Sequence, residues 1–132
     1  MKKYYQPRGG KKGRFALREN TFRRMWYLIA DYPYFKAVQR GRQDSRAFSL
    51  ANTTRMAEAV FEYDVEQEQC ERYINAIEAA IEVVPPEYTE YIMSHIIERK
   101  RYKDMQLAVS ERTIKLWVQR FIWQVAHNLG EA

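Results

Sequence analysis

The sequence has one cysteine, Cys70, so no disulfide can close within the chain, and a reducing compartment is expected. Two histidines stand far from it and from each other, which removes the ligand spacing of a zinc site. Gly and Pro are scarce, five and four residues, so a strand-and-turn architecture is not expected. No apolar run approaches the ~18–20 residues of a membrane span. The charged N-terminus is not followed by the apolar segment of a secretory leader, so a cytoplasmic location without membrane contact is expected. A phosphate-cradling loop is missing too, because Gly9-Gly10 lacks the strand–helix context that such a loop needs. Neither a nucleophile elbow nor a distinguishable carboxylate pair is present. His95 and Glu98 read as a helix-surface pair rather than as ligands. The chain is therefore read as a non-enzyme without metal or cofactor.

Apolar residues make up 46% of the 132, including ten Tyr, six Phe and three Trp, enough for one aromatic-rich core. The net charge of +5 conceals strong sidedness. Residues 1–24 carry +8, 25–53 carry +2, 54–91 carry −8 and 92–132 carry +3. Both ends suit a polyanion, and the middle does not.

The opening stretch, "MKKYYQPRGGKKG", has no apolar periodicity. It reads as a flexible basic arm reaching to residue 17, suited to DNA phosphates or simply to solubility. A first helix is expected over 18–31, with Phe22, Met25, Trp26 and Ile29 on one face. Pro33 disfavours the helical conformation at Tyr32 and suits the first turn of a second helix, "PYFKAVQRGRQD". Residues 46–52 read as a linker. Asn52, Thr53 and Thr54 are candidate caps of a third helix with Met56, Ala59 and Val60 inward. From Asp64 to Val84 a helix carries the stripe Cys70, Tyr73, Ile74, Ile77, Ile81 and Val84, with Glu66, Glu68, Glu71, Glu78 and Glu82 elsewhere. The pattern leaves open whether Thr53 to Val84 is one helix or two. The acidic surface suits a protein partner or plain solvent, and a homodimer through the apolar stripe would set two DNA-reading helices on paired half-sites. Pro85-Pro86 ends this helix and opens the next, "PEYTEYIMSHIIERK", with Tyr88, Ile92, Met93 and Ile96 inward.

A basic segment, "RKRYKDMQLAV", then leads to "SERTIKLWVQRFIWQVAHNLG". Ser110 suits a helix N-cap, since its hydroxyl can accept a hydrogen bond from an N–H two or three residues on. Ile114, Val118, Phe121, Ile122, Val125 and Leu129 form one apolar stripe. The other face opens with donors and acceptors, the arrangement of a helix that enters the DNA major groove N-terminus first. The candidate DNA-binding residues are Ser110, Glu111, Arg112, Thr113, Lys115, Leu116, Gln119 and Arg120, joined by Arg99, Lys100, Arg101 and Lys103 just upstream. Arg112 and Lys115 are best placed for base edges, Thr113 and Arg120 for phosphate. Trp117 and Trp123 read as packing residues.

The Pro-preceded helix at Pro85-Pro86, the basic connection and the pattern Ser110, Thr113, Ile114 resemble region 4 of bacterial sigma factors. Over about 110 residues the order "ADYPYFKAVQR", "NTT", "ERYINAIEAAIEVVP" and a C-terminal unit ending "LGE" resembles the RinA-type phage late transcriptional activators and their autolysin-regulator relatives. That resemblance implies an all-α fold: a basic arm over 1–17, an N-terminal helical bundle over 18–84 and a helix-turn-helix over 85–132. It also implies double-stranded DNA as partner, action beside RNA polymerase in a bacterial host cell and activation of late genes. One feature departs from the sigma pattern. The small residue expected about three places before Leu107 is Asp104, so the first helix of the unit is expected to be short or shifted. Two other classes share the composition: a small terminase subunit, which would assemble into a ring, and a helical interaction protein without DNA contact.

Overall fold

The computed structural model describes the backbone of residues 13–49 and 57–132, and side chains over 13–41 and 66–132. Among the described residues there are five α-helices and no strand. The helices are α1 (Glu19–Ala30), α2 (Tyr32–Ser49), α3 (Ala57–Ile81), α4 (Pro86–Ile97) and α5 (Glu111–Asn128). The protein is all-α, as composition and periodicity imply.

The expected α1 stripe is fully buried: Phe22, Met25, Trp26 and Ile29 are each no more than 3% exposed. A single residue, Asp31, separates α1 from α2, and its carbonyl accepts from Phe35 N–H at 3.0 Å. Tyr32 thus belongs to the first turn of α2, against the expected extended conformation before Pro33. At the second helical position the missing proline N–H costs no intrahelical bond. Tyr32 is also held by a 2.9 Å hydrogen bond from its hydroxyl to Glu78. Burial, reinforced by that carboxylate, raises the Tyr32 phenol to about 12, so it stays a donor.

Helix α2 runs on to Ser49, so residues 46–49, expected in a linker, are helical. Asn52, Thr53, Thr54 and Met56 lie outside the described residues, as do the side chains of Ala59 and Val60. Helix α3 is continuous from Ala57 through Ile81, which favours the single-helix alternative. Its stripe packs inward: Cys70, Ile74, Ile77 and Val84 are buried and Tyr73 and Ile81 partly so. The stripe is therefore used within the chain, against α2 and α5, and a homodimer would need a different face. Burial first, and then Glu66, push the Cys70 thiol up, so it acts as a small apolar residue rather than a nucleophile.

Helix α5 lies at the centre. All six residues of its expected stripe are buried, and it packs against α1, α3 and α4. One continuous core thus joins the 18–84 and 85–132 segments. At its C-terminus, Gly130 takes φ +77°, Gly130 N–H returns to the His127 carbonyl and Glu131 N–H to that of Ala126. This is a Schellman closure, and the left-handed position is the reason for glycine in "LGE". Asn128 Nδ2 donates to the Ala76 carbonyl at 3.0 Å and Arg72 to that of Leu129 at 3.2 Å, fastening this end to α3.

Candidate nucleic-acid interface

Ser110 caps α5 as its sequence position implies: its hydroxyl accepts from Thr113 N–H at 3.2 Å and lies 2.8 Å from the Thr113 hydroxyl. The cap uses both hydroxyls, so Ser110 and Thr113 set the helix start before they do anything else. Arg112, Lys115 and Leu116 project outward and are exposed. Lys115 pairs with Glu111 at 3.2 Å, one turn apart. Both side chains are more than half exposed, so the pair is easily exchanged for another anion.

The next turn is different. Gln119 is half-buried and donates from Nε2 to the Phe15 carbonyl at 2.7 Å. The Arg120 guanidinium sits between two rings, 5.0 Å from the centroid of Phe15 and 4.9 Å from that of Trp117. These two candidates hold the chain together rather than facing outward. The reason is Phe15, which also meets Trp123 edge-on at 5.1 Å. Within 13–17, expected to be part of the flexible arm, Phe15 is therefore docked on α5 and Leu17 is packed against the core. An aromatic side chain has a large apolar surface to bury, and Arg120 and Trp123 supply the matching flat surfaces. Trp117 and Trp123 pack as expected.

The connection between α4 and α5 covers residues 98–110, with one 3-10 turn at Tyr102–Asp104. A helix-turn-helix joins its helices through a turn of ~3–4 residues, and that tight turn is not seen here. Two features of the local sequence account for it. "RKRYKD" has little apolar surface to bury as a helix, and the Arg101–Asp104 pair at 2.8 Å closes only a short turn. After it, Met105, Leu107 and Val109 are half-buried while Gln106, Ala108 and Ser110 are exposed. Every second side chain thus turns inward along a connection that bends at Met105, Ala108 and Val109, with Leu107 N–H returning to the Met105 carbonyl at 3.1 Å. The Tyr91 hydroxyl clamps this stretch to α4, donating to the Gln106 carbonyl and accepting from Ala108 N–H, both at 3.3 Å.

His95 is the residue most at odds with its expected place. It is not a surface partner of Glu98 but is 3% exposed. Its Nδ1–H donates to the Lys100 carbonyl at 2.6 Å. Its ring stacks on Tyr102 at 4.0 Å and meets Trp26 edge-on at 5.2 Å. On Tyr102, in turn, rests the Lys115 ammonium, 5.6 Å from the ring centroid. A column of rings thus runs from α1 through α4 and the connection to the exposed face of α5. Burial pushes the His95 imidazole below its ordinary value, and Lys115 adds to this, against the opposing hydrogen bond to Lys100. The chain reverses at Arg99, a non-glycine residue at φ +55°, and Lys100 N–H returns to the Ser94 carbonyl.

The four upstream cations are all exposed. Lys100 pairs with Glu98 at 3.2 Å and Arg101 with Asp104. Through Tyr102 the segment Arg101–Lys103 lies beside Lys115, so the basic connection and the first turns of α5 are one surface. Sequence reasoning missed Tyr102, Tyr91 and Phe15, which hold that surface in place. Each is an aromatic side chain in an otherwise polar stretch, the one available sign of a packing role.

No group of His, Cys, Asp and Glu able to hold a metal ion occurs among the described residues, and no described helix is long and apolar enough to cross a membrane. Comparison of the chain with protein-family models, curated proteins and solved structures returns no match.

Proposed function

We propose that the protein is a double-stranded DNA-binding transcription regulator that reads the major groove with the first two turns of α5. The observation that carries this reading is the composition of one exposed surface. A side-chain-capped helix start presents Arg112, Lys115 and Leu116, and the basic segment Arg99–Lys103 lies beside it. A capped N-terminus also carries the positive end of the helix dipole, which favours a phosphate nearby. The back of the same helix is the centre of the core, so the reading surface is held rigidly.

In this reading Arg112 and Lys115 approach base edges, and Arg99, Lys100, Arg101 and Lys103 lie along phosphates. The basic arm adds sequence-independent attraction. The resemblance to RinA-type activators makes phage late promoters the first DNA to try, with RNA polymerase as a protein partner. The connection at 98–110, with its one 3-10 turn, departs from the tight turn of a sigma-type unit, so this reading rests on the exposed start of α5 and the basic segment beside it.

The test is an electrophoretic mobility shift with phage genomic fragments, run beside a measurement of particle mass. A shifted fragment that survives competitor DNA, from a monomer or dimer, supports the regulator. A ring-sized particle would point to a terminase subunit, and the absence of any shift to a protein that does not touch DNA.

A further inference from the structure

We infer that the cleft between α1, α3 and the chain leaving α5 is a small-molecule site, and that its ligand is a monocarboxylate with a short apolar tail. The cleft lies at the opposite end of α5 from the proposed reading surface, and the inference stands whether or not α5 reads DNA.

The cleft has a volume of about 280 Å³, at the small end of ligand cavities. Its apolar lining is Met25 and Leu28 of α1 and Leu129 beyond α5. Met25 and Leu129 are buried and Leu28 is half-buried, so the core behind them fixes this lining. The donors beside it are Arg24, Arg72 and the Tyr73 hydroxyl. Arg72 donates to the neutral Leu129 carbonyl at 3.2 Å, which leaves the rest of its donor fork unmatched among the described residues. The Tyr73 hydroxyl accepts from Gln69 Nε2 and keeps its own proton to give. Arg24 holds Glu131 at 3.4 Å, a long contact of a side chain that is 59% exposed, and such a pair is weak. Two arginines and one glutamate leave a net +1 on the lining, the charge that one carboxylate cancels.

These features select the ligand class. An arginine fork matches both oxygens of a carboxylate, and a phenol proton adds a third hydrogen bond to it. Inorganic phosphate would meet the cations but leave Met25, Leu28 and Leu129 facing water. A neutral apolar molecule would cover those three and leave Arg72 without a counter-charge. The small volume holds the tail to a few carbons.

The probe is 3-methylbutanoate, titrated into the full chain and followed by NMR of the Met and Leu methyl groups, with 3-methylbutanamide and inorganic phosphate as controls. The Met25, Leu28 and Leu129 signals should move saturably with a Kd of about 1 mM, ordinary for a ligand of this size. Both controls should bind at least about tenfold more weakly, having lost either the charge-assisted hydrogen bonds or the apolar contact. Arg72→Gln should remove binding. Arg72 also fastens Leu129, so two variants that spare that bond accompany it. Tyr73→Phe, which keeps the ring against Phe35, should bind the probe about tenfold more weakly. Glu131→Gln, which releases Arg24, should bind it about two- to fivefold more tightly. Signals that stay in place at ~10 mM probe, ten times the expected Kd, would overturn the inference. Equal binding of the amide would reduce the cleft to an apolar spot, and equal binding of phosphate to a patch of positive charge, and either result overturns it too. So does an Arg72→Gln or Tyr73→Phe protein that binds like the parent, or a Glu131→Gln protein that binds no better.

Discussion

His95 shows how a buried side chain can govern an exposed surface. Its ring joins Trp26 in the core to Tyr102 under Lys115, and its Nδ1–H fixes the Lys100 carbonyl where the basic connection begins. Its proton affinity is depressed in the folded protein, so the folded state favours the neutral ring. The unfolded chain takes up the proton near pH 6.5, before the folded chain does. The contribution to stability is therefore complete above about pH 6.5, declines as the pH falls below that and levels off beneath the folded value. Melting temperatures of the parent and of His95→Gln, measured between pH 7.5 and 5, should diverge in slope: the parent loses stability on acidification by an increment that the variant lacks. Parallel curves would mean that His95 is protonated equally easily in both states. Nothing in the sequence marked His95 as buried. A histidine three residues from a glutamate on a helix looks like a surface pair, and only the return of the chain at Arg99 brings Tyr102 and the Lys100 carbonyl over it.

At the scale of elements, α5 was the most legible part of the chain and the connection before it the least. The Ser110 cap, the six-residue apolar stripe and the exposed first turns follow from local chemistry alone: a hydroxyl at the N-cap and apolar residues every three or four positions. Helices α1, α3 and α4 were legible from their apolar spacing alone, with no side-chain cap at the start of α1 or α4. The segment 98–110 was not, because it is shaped by contacts distant in sequence, above all the Tyr91 hydroxyl and the His95–Tyr102 stack. The outer face of α5 beyond Leu116 was misread through Phe15, whose docking takes Gln119 and Arg120 out of the reading surface. The central place of α5 also makes a stability prediction. Phe121 is 1% exposed, and truncating a buried phenylalanine costs ~3–5 kcal/mol. Phe121→Ala should lower the melting temperature by about 10 °C or more in calorimetry. A variant that melts like the parent would show that α5 turns a different face to the core.

For the whole molecule, the question is how an uneven charge distribution is used. Phe15 is tied to α5, and Lys2, Lys3, Arg8, Lys11 and Lys12 precede it in the sequence. Deleting residues 1–13 removes these five cations and leaves the Phe15 anchor. If each lies on a phosphate, the log–log salt dependence of binding should flatten by up to about 4.5, with affinity lost equally for all DNA sequences and folding intact. The opposite outcome has a physical basis as well. An arm that instead covers the acidic 54–91 region would, once deleted, leave a fold less stable at low salt and a DNA affinity that holds or rises. Melting temperature and salt-dependent affinity of the one truncated protein separate the two. The all-α architecture and the single aromatic core were open to reading from composition and periodicity. The merging of both halves around α5 was not, since periodicity shows which face of a helix is apolar but not which helix it meets.

The central claim is that the exposed first turns of α5 read bases. It is tested most directly by measuring duplex affinity for the parent, Arg112→Ala and Lys115→Ala, on a selected sequence and on a scrambled one. A bidentate base contact is worth ~1–3 kcal/mol, so Arg112→Ala should bind the selected duplex about tenfold to a hundredfold more weakly while its affinity for the scrambled duplex changes far less and its helical spectrum not at all. Unchanged affinity for the selected duplex in both variants would contradict the assignment of α5 as the reading helix.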